Sequence, residues 1–201
     1  VLGMSALTTN TTGAQNVSIG SASLEVNTTA SNNTAVGFKS LNKNTTASYN
    51  SAFGYQALSA NTTGERNTAL GRTALEANTT GDHNVGVGMA ALEVNTTGGN
   101  NTAVGYAALV ANTTADNNTA FGYQAGSSVS SGSNNLLLGN DAGITGSPGG
   151  NFTNHSNRVV LGDENIAELN CQVSLTVASD QRDKTDFTAL DLGLDFVKAL
   201  A

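Results

Sequence analysis

Few side chains in this 201-residue chain have types and spacing suited to chemistry. A polysaccharide-cleaving site needs two carboxylates converging on a groove. The acids here instead recur in register. Glu25, Glu76 and Glu93 share one slot of a 17-residue pattern, which reads as a solvated stripe. Glu65, Asp82 and Asp116 fall on a recurring turn and read as equally exposed, and nothing breaks the repeat to build a pocket. His83 lies on that turn too, and His155 lies in a later loop; neither has partners at ligand spacing, so no metal site and no cofactor is assigned. The aspartates of the calcium-binding nonapeptide pattern are missing. The single Cys171 allows no internal disulfide and reads as a small apolar strand residue. Asn-Thr-Thr, the commonest phrase, is a glycosylation sequon, yet it keeps a strict structural period that a sugar would not need.

That period sets the architecture. The triplet starts at Asn10, Asn27, Asn44, Asn61, Asn78, Asn95 and Asn112, always 17 residues apart. Glycine keeps the same clock from Gly3 to Gly139, and a second asparagine keeps it from Asn16 to Asn135. An apolar residue precedes each glycine, as Val36, Phe53, Leu70 and Val104 do. Four residues after the glycine comes a leucine, Leu7 through Leu109, itself preceded by alanine or serine. The phrase changes near Gly122: Gly126 and Gly143 take the leucine slot and Val129 takes an asparagine slot. Gly162 follows Gly139 by 23 residues rather than 17, and residues 140–157, with the only proline, Pro148, read as a surface excursion.

A 17-residue unit is too short for helical arrays, whose repeats run to about 33 residues or more, or for leucine-rich repeats of about 20 or more. Asn, Thr and Gly are also weak helix formers. Segments such as "TAVG" and "YAAL" are strand-sized and bounded by turn formers. The expected coil has two short strands and two turns, stacked at about 4.8 Å per coil. Stacking explains the columns: glycine where one left-handed bend recurs, asparagine where amides hydrogen-bond along the axis. The predicted fold class is all-β, a β-solenoid over 1–162, then a strand-rich connector at 163–178 and a further small domain beginning at 179.

Each coil offers one leucine, one other apolar residue and a few alanines, little to set against ordering 17 backbones. Several chains sharing apolar faces would supply the rest, with the small residue before each leucine allowing close approach. A homo-oligomer is therefore expected. The net charge of −7 argues against nucleic acid or an anionic membrane as partner. No apolar run is long enough to span a bilayer. The chain opens in mid-phrase, "VLGMSAL" matching "VSIGSASL", so Val1 reads as an internal residue of a longer protein.

The phrase "NTAVGYAALVANTTADNNTAFGYQAG" resembles repeats in bacteriophage tail-fibre-like proteins and bacterial surface fibres. More loosely, it is similar to the heads of trimeric autotransporter adhesins, left-handed parallel β-rolls in which three chains share an axis. "SDQRDKTDF", Ser179 to Phe187, with "NCQVSLTVA" before it and "LGLDFVKAL" after it, resembles the opening of the intramolecular chaperone domain of tail fibres and endosialidases. The resemblance implies a homotrimer, a C-terminal trimerisation chaperone at 179–201 that is incomplete here, and self-cleavage by a serine–lysine dyad, Ser179 and Lys184.

A serine hydroxyl needs a base to become nucleophilic, and a lysine serves only when burial or a nearby cation lowers its pKa. Arg182 would supply that cation or meet the developing oxyanion, and Asp180 would orient the strand. The last residues, "GLDFVKALA", read as a helix with Leu194, Val197 and Leu200 on one face. The expected function is the structural and adhesive part of an extracellular fibre, on a virion or a bacterial surface. Its receptor would be a surface glycan, met by turns and the 140–157 loop. The alternative is an ice-binding solenoid using stacked Asn-Thr-Thr threonines.

Overall fold

The computed structural model describes residues 1–144, 146–147 and 150–168. It is all-β, with nine three-residue strands in a single parallel sheet. In chain order they are β1 (Val17–Ile19), β2 (Thr34–Val36), β3 (Ser51–Phe53), β4 (Thr68–Leu70), β5 (Val85–Val87), β6 (Thr102–Val104), β7 (Thr119–Phe121), β8 (Leu136–Leu138) and β9 (Val159–Leu161). Sheet order is sequence order, and each strand pairs in register with the next; Thr34, Ala35 and Val36 lie beside Ser51, Ala52 and Phe53. This is the β-solenoid that the period predicts, one coil per 17 residues.

Each coil carries one strand, not the two expected. The segment "YAAL" forms a turn, because Ala107 and Leu109 both sit in the left-handed region, at φ 52° and 51°. Two such residues in three bend the chain off any extended path. All seven leucines of the repeat share this conformation, with φ between 46° and 54°. It costs a non-glycine residue roughly 1–2 kcal/mol. The return is burial and registry: Leu24, Leu41, Leu58, Leu75, Leu92 and Leu109 are fully buried. The leucine N–H also donates to the carbonyl of the small residue one coil on, as Leu58 does to Ala74 at 3.0 Å.

The glycine slot cannot vary. Gly71 has φ +144°, and a Cβ there would collide with the carbonyl of Gly88 directly above it. The same holds along the column, so successive bends stack with no room for a side chain.

Two asparagine columns line the interior. In the first, Asn61 donates from Nδ2 to the Gly64 carbonyl of its own coil at 2.9 Å and to Oδ1 of Asn44, one coil back, at 3.0 Å. In the second, the backbone N–H of Asn67 donates to Asn50 Oδ1 at 2.9 Å, and Asn67 Nδ2 donates to the Gly81 carbonyl at 2.8 Å. One carbonyl per coil thus accepts from both columns, Gly64 from Asn50 and Asn61 alike. Buried amides demand this saturation, since each unpaired group costs about 1–3 kcal/mol.

The core is narrow. The central residue of each strand points inward, Ala35, Ala52, Ala69, Ala103 and Ala120 against the leucines. The small residue before each leucine is also inside: Ser23, Ser40, Ala57, Ala74, Ala91 and Ala108 are fully buried. The expectation that these small residues mediate close approach between chains is corrected, because the turn aims them into their own coil.

Near the end of the repeat the filling changes. Gly126 and Gly143 vacate the leucine slot, and Leu137 at the centre of β8 fills the space from the opposite wall. A Cβ on Gly126 would meet Leu137 Cδ1 at 2.7 Å and Leu109 Cδ2 at 2.8 Å. Val129 and then Phe152 replace asparagine in the first column, and both are buried. The long coil rejoins the register at Phe152, whose N–H donates to the Gly143 carbonyl at 3.0 Å, as Asn61 does to Leu58 at 3.2 Å in a regular coil. The six extra residues therefore lie between Gly143 and Phe152. The excursion 140–157 is not wholly superficial, since Phe152 is a core residue.

Candidate functional site

Ser179, Asp180, Arg182 and Lys184 lie outside the described residues, as do Cys171 and the helix expected at the end of the chain. The surfaces that the structure places are those of the rod, and three differ in chemistry.

The outer face of the sheet is the first. Its nine strands direct two residues each outward, 18 in all, and none is charged. Thirteen are apolar, among them Ile19, Phe53, Leu70 and Phe121, at 38–57% exposure. Beside them runs the residue following each glycine, where aromatic rings stack from coil to coil. Phe38 lies 5.4 Å from Tyr55, and Tyr106 lies 5.2 Å from Tyr123, nearly parallel. Arg72 sits 5.8 Å from the Tyr55 ring. The 18 strand positions form an uncharged, largely apolar strip, which is unusual for a surface left in water, while the column beside it holds the charged Arg72 and Asp163 among its rings.

The Asn-Thr-Thr turn is the second. Its asparagines Asn27, Asn44, Asn61, Asn78, Asn95 and Asn112 are fully buried and spend their amide N–H groups inside, so the folded rod withholds them from glycosylation. The first threonine donates its hydroxyl along the axis, Thr79 Oγ1 to the Thr96 carbonyl at 3.0 Å. The acids of the turn also bind neighbours: Asp82 Oδ1 accepts the Glu65 N–H at 2.6 Å, and Asp116 Oδ1 accepts the Gly99 N–H at 2.7 Å. Serine does the same elsewhere in that slot, Ser48 Oγ accepting from Ser31 at 3.0 Å. His83 stays exposed in the left-handed region at φ 59°.

The third is a groove of about 470 Å³ on the turn that follows the leucines. Lys39, Asn42 and Lys43 form one end and Glu93 with Val94 the other; Gln56, Ser59, Ala60, Glu76 and Ala77 lie between. The expectation that nothing breaks the repeat to build a pocket is corrected here. In one 17-residue slot the chain reads Lys43, Ala60, Ala77, Val94, so two methyl groups make a floor between longer side chains. That signal was present in the sequence, as a dip in side-chain size along one slot. The glutamates of the stripe are not equivalent either. Glu25 Oε2 accepts from Asn42 Nδ2 at 2.9 Å, whereas Glu76 and Glu93 make no side-chain hydrogen bond among the described residues.

Near the end of the rod, Asp163 is held below the ordinary carboxylate range, chiefly by the Asn165 side-chain amide and then by its backbone N–H, both at 2.9 Å. Among the described residues no group of three or more His, Cys, Asp or Glu converges on a metal position. Comparison with protein-family models, with curated proteins and with solved structures finds no match to this chain.

Proposed function

We propose that this chain is the shaft of a homotrimeric extracellular fibre that contacts a cell surface. The observation that carries the reading is the outer sheet face, with no charge among its 18 outward residues. The aromatic columns beside it offer further area to a second copy. Copies in parallel would match slot for slot, because every coil repeats the same rise. The number three rests on the resemblance to tail fibres and autotransporter heads. So do a trimerising role for 179–201 and self-cleavage by Ser179 and Lys184. A terminal trimeriser suits a thin rod: it raises local concentration before the faces meet.

Native mass spectrometry of the full-length protein reads stoichiometry and cleavage together. A trimer is expected, and Leu70→Lys with Val104→Lys should abolish it and lower the melting temperature, because a lone rod buries little apolar surface per coil. A monomeric unmodified protein would overturn the reading. Ser179→Ala or Lys184→Ala should abolish self-cleavage and spare assembly; cleavage at normal rate in both would remove the dyad.

A further inference from the structure

The groove over Ala60 and Ala77 has charges of opposite sign at its two ends, and they do not meet. Lys39 and Lys43 belong to one coil, while Glu76 and Glu93 lie two and three coils further on, about 10–14 Å along the axis. The sole ion pair among the described residues is elsewhere, between Arg66 and Glu65. Lys39 is steadied instead by the Phe38 ring, its Nζ 5.3 Å from the centroid. Between the ends lie the Gln56 amide and the Ser59 hydroxyl above the alanine methyls. The volume of about 470 Å³ is within the range of small-molecule sites, about 300–1,000 Å³.

We propose that this groove binds a short oligosaccharide carrying a single carboxylate. The acidic sugar sits between Lys39 and Lys43. Neutral hydroxyls run past Gln56 and Ser59 and donate to the carboxylates of Glu76 and Glu93, which accept hydrogen bonds only. Two features favour a glycan over a peptide. The groove crosses turns, so no strand edge is there to pair with an extended main chain. Its alanine floor offers no deep pocket for a side-chain anchor. The same charges set a limit on the ligand: a sugar acid at every position would bring carboxylates against Glu76 and Glu93, in a chain already at net charge −7.

This inference deepens the cell-surface half of the proposed function, but it needs only one chain, so oligomeric state and binding are measured separately. The test is titration of the full chain with three defined trisaccharides: one with a terminal uronic acid, the same sugar reduced to the neutral alcohol, and one uronic throughout. The singly acidic sugar should bind best. Carboxyl reduction, or the double variant Lys39→Gln/Lys43→Gln, should weaken binding about five- to tenfold, as exposed ion pairs allow. Glu76→Gln/Glu93→Gln should raise affinity for the fully uronic sugar several-fold. Filling the floor with Ala77→Leu should abolish binding at unchanged melting temperature. Absence of saturable binding by the singly acidic sugar would overturn the proposal. So would affinity indifferent to the lysine pair or to Ala77→Leu, or tighter binding of an acidic peptide than of any of the sugars.

Discussion

The regular coils and the final coils solve one packing problem in two ways. Through Asn112 the interior alternates a leucine on the turn with an alanine on the strand, and an amide column fills the corner. Beyond it, glycine takes the turn, leucine moves to the strand, and the corner becomes Val129 and Phe152. Leu137 fills from the strand wall the space that Gly126 and Gly143 leave open on the turn. The price appears at the junction, where Asn112 Oδ1 is buried and has no hydrogen-bond partner because Val129 offers none. The difference teaches that the corner facing the six-residue insertion gives up its amides for apolar filling, while the second asparagine column keeps the long coil in register, Asn135 Nδ2 donating to the His155 carbonyl at 2.8 Å and the Arg158 N–H to Asn135 Oδ1 at 3.1 Å.

The largest effect should come from inside the regular region. Asn78→Leu removes one rung, leaving Asn61 Oδ1 without its donor and Asn95 Nδ2 without its acceptor. A loss of roughly 3–5 kcal/mol is expected, read by urea denaturation. Gly71→Ala should follow closely, at about 3 kcal/mol or more, since its Cβ meets the Gly88 backbone at φ +144°. The sharpest test of the two packings is an exchange. Gly126→Leu alone should cost about 2–3 kcal/mol by overfilling the space against Leu137, and adding Leu137→Ala should recover most of that. Two additive losses would show that the walls are not coupled.

Val129→Asn should change stability by no more than about 1 kcal/mol. It gives Asn112 a donor but moves the orphaned acceptor one coil on, against Phe152. The smallest effect is electrostatic. Asp163 is depressed in the folded chain, so its contribution is complete above the ordinary value of 3.8 and is lost as pH falls through the lower folded value. An NMR titration of the final coil should show Asp163 titrating below that value, and Asn165→Ala should return it upward.

The period, the glycine bends and both asparagine columns were legible because stacking forces identical residues into identical surroundings. Two things were hidden. Left-handed backbone at Ala107 and Leu109 carries no signature in residue type, so a turn read as a strand. The inward aim of the small residue before each leucine depends on that same turn. Phe152 was obscured by an insertion that displaced it from its slot by six residues. The groove was written in the sequence, but only in the sizes along one slot, not in any catalytic motif. For Ser179, Asp180, Arg182 and Lys184 the resemblance remains the only guide.

The glycine column has a consequence for how such a rod can change over generations. Each bend is closed off by the bend above it, so a coil accepts no bulkier residue there, and extra residues fit only between bends, as those between Gly143 and Phe152 do. Gain or loss of one whole unit, by contrast, meets the same surroundings on both sides. The reach of the rod is thus quantised, in steps of about 4.8 Å.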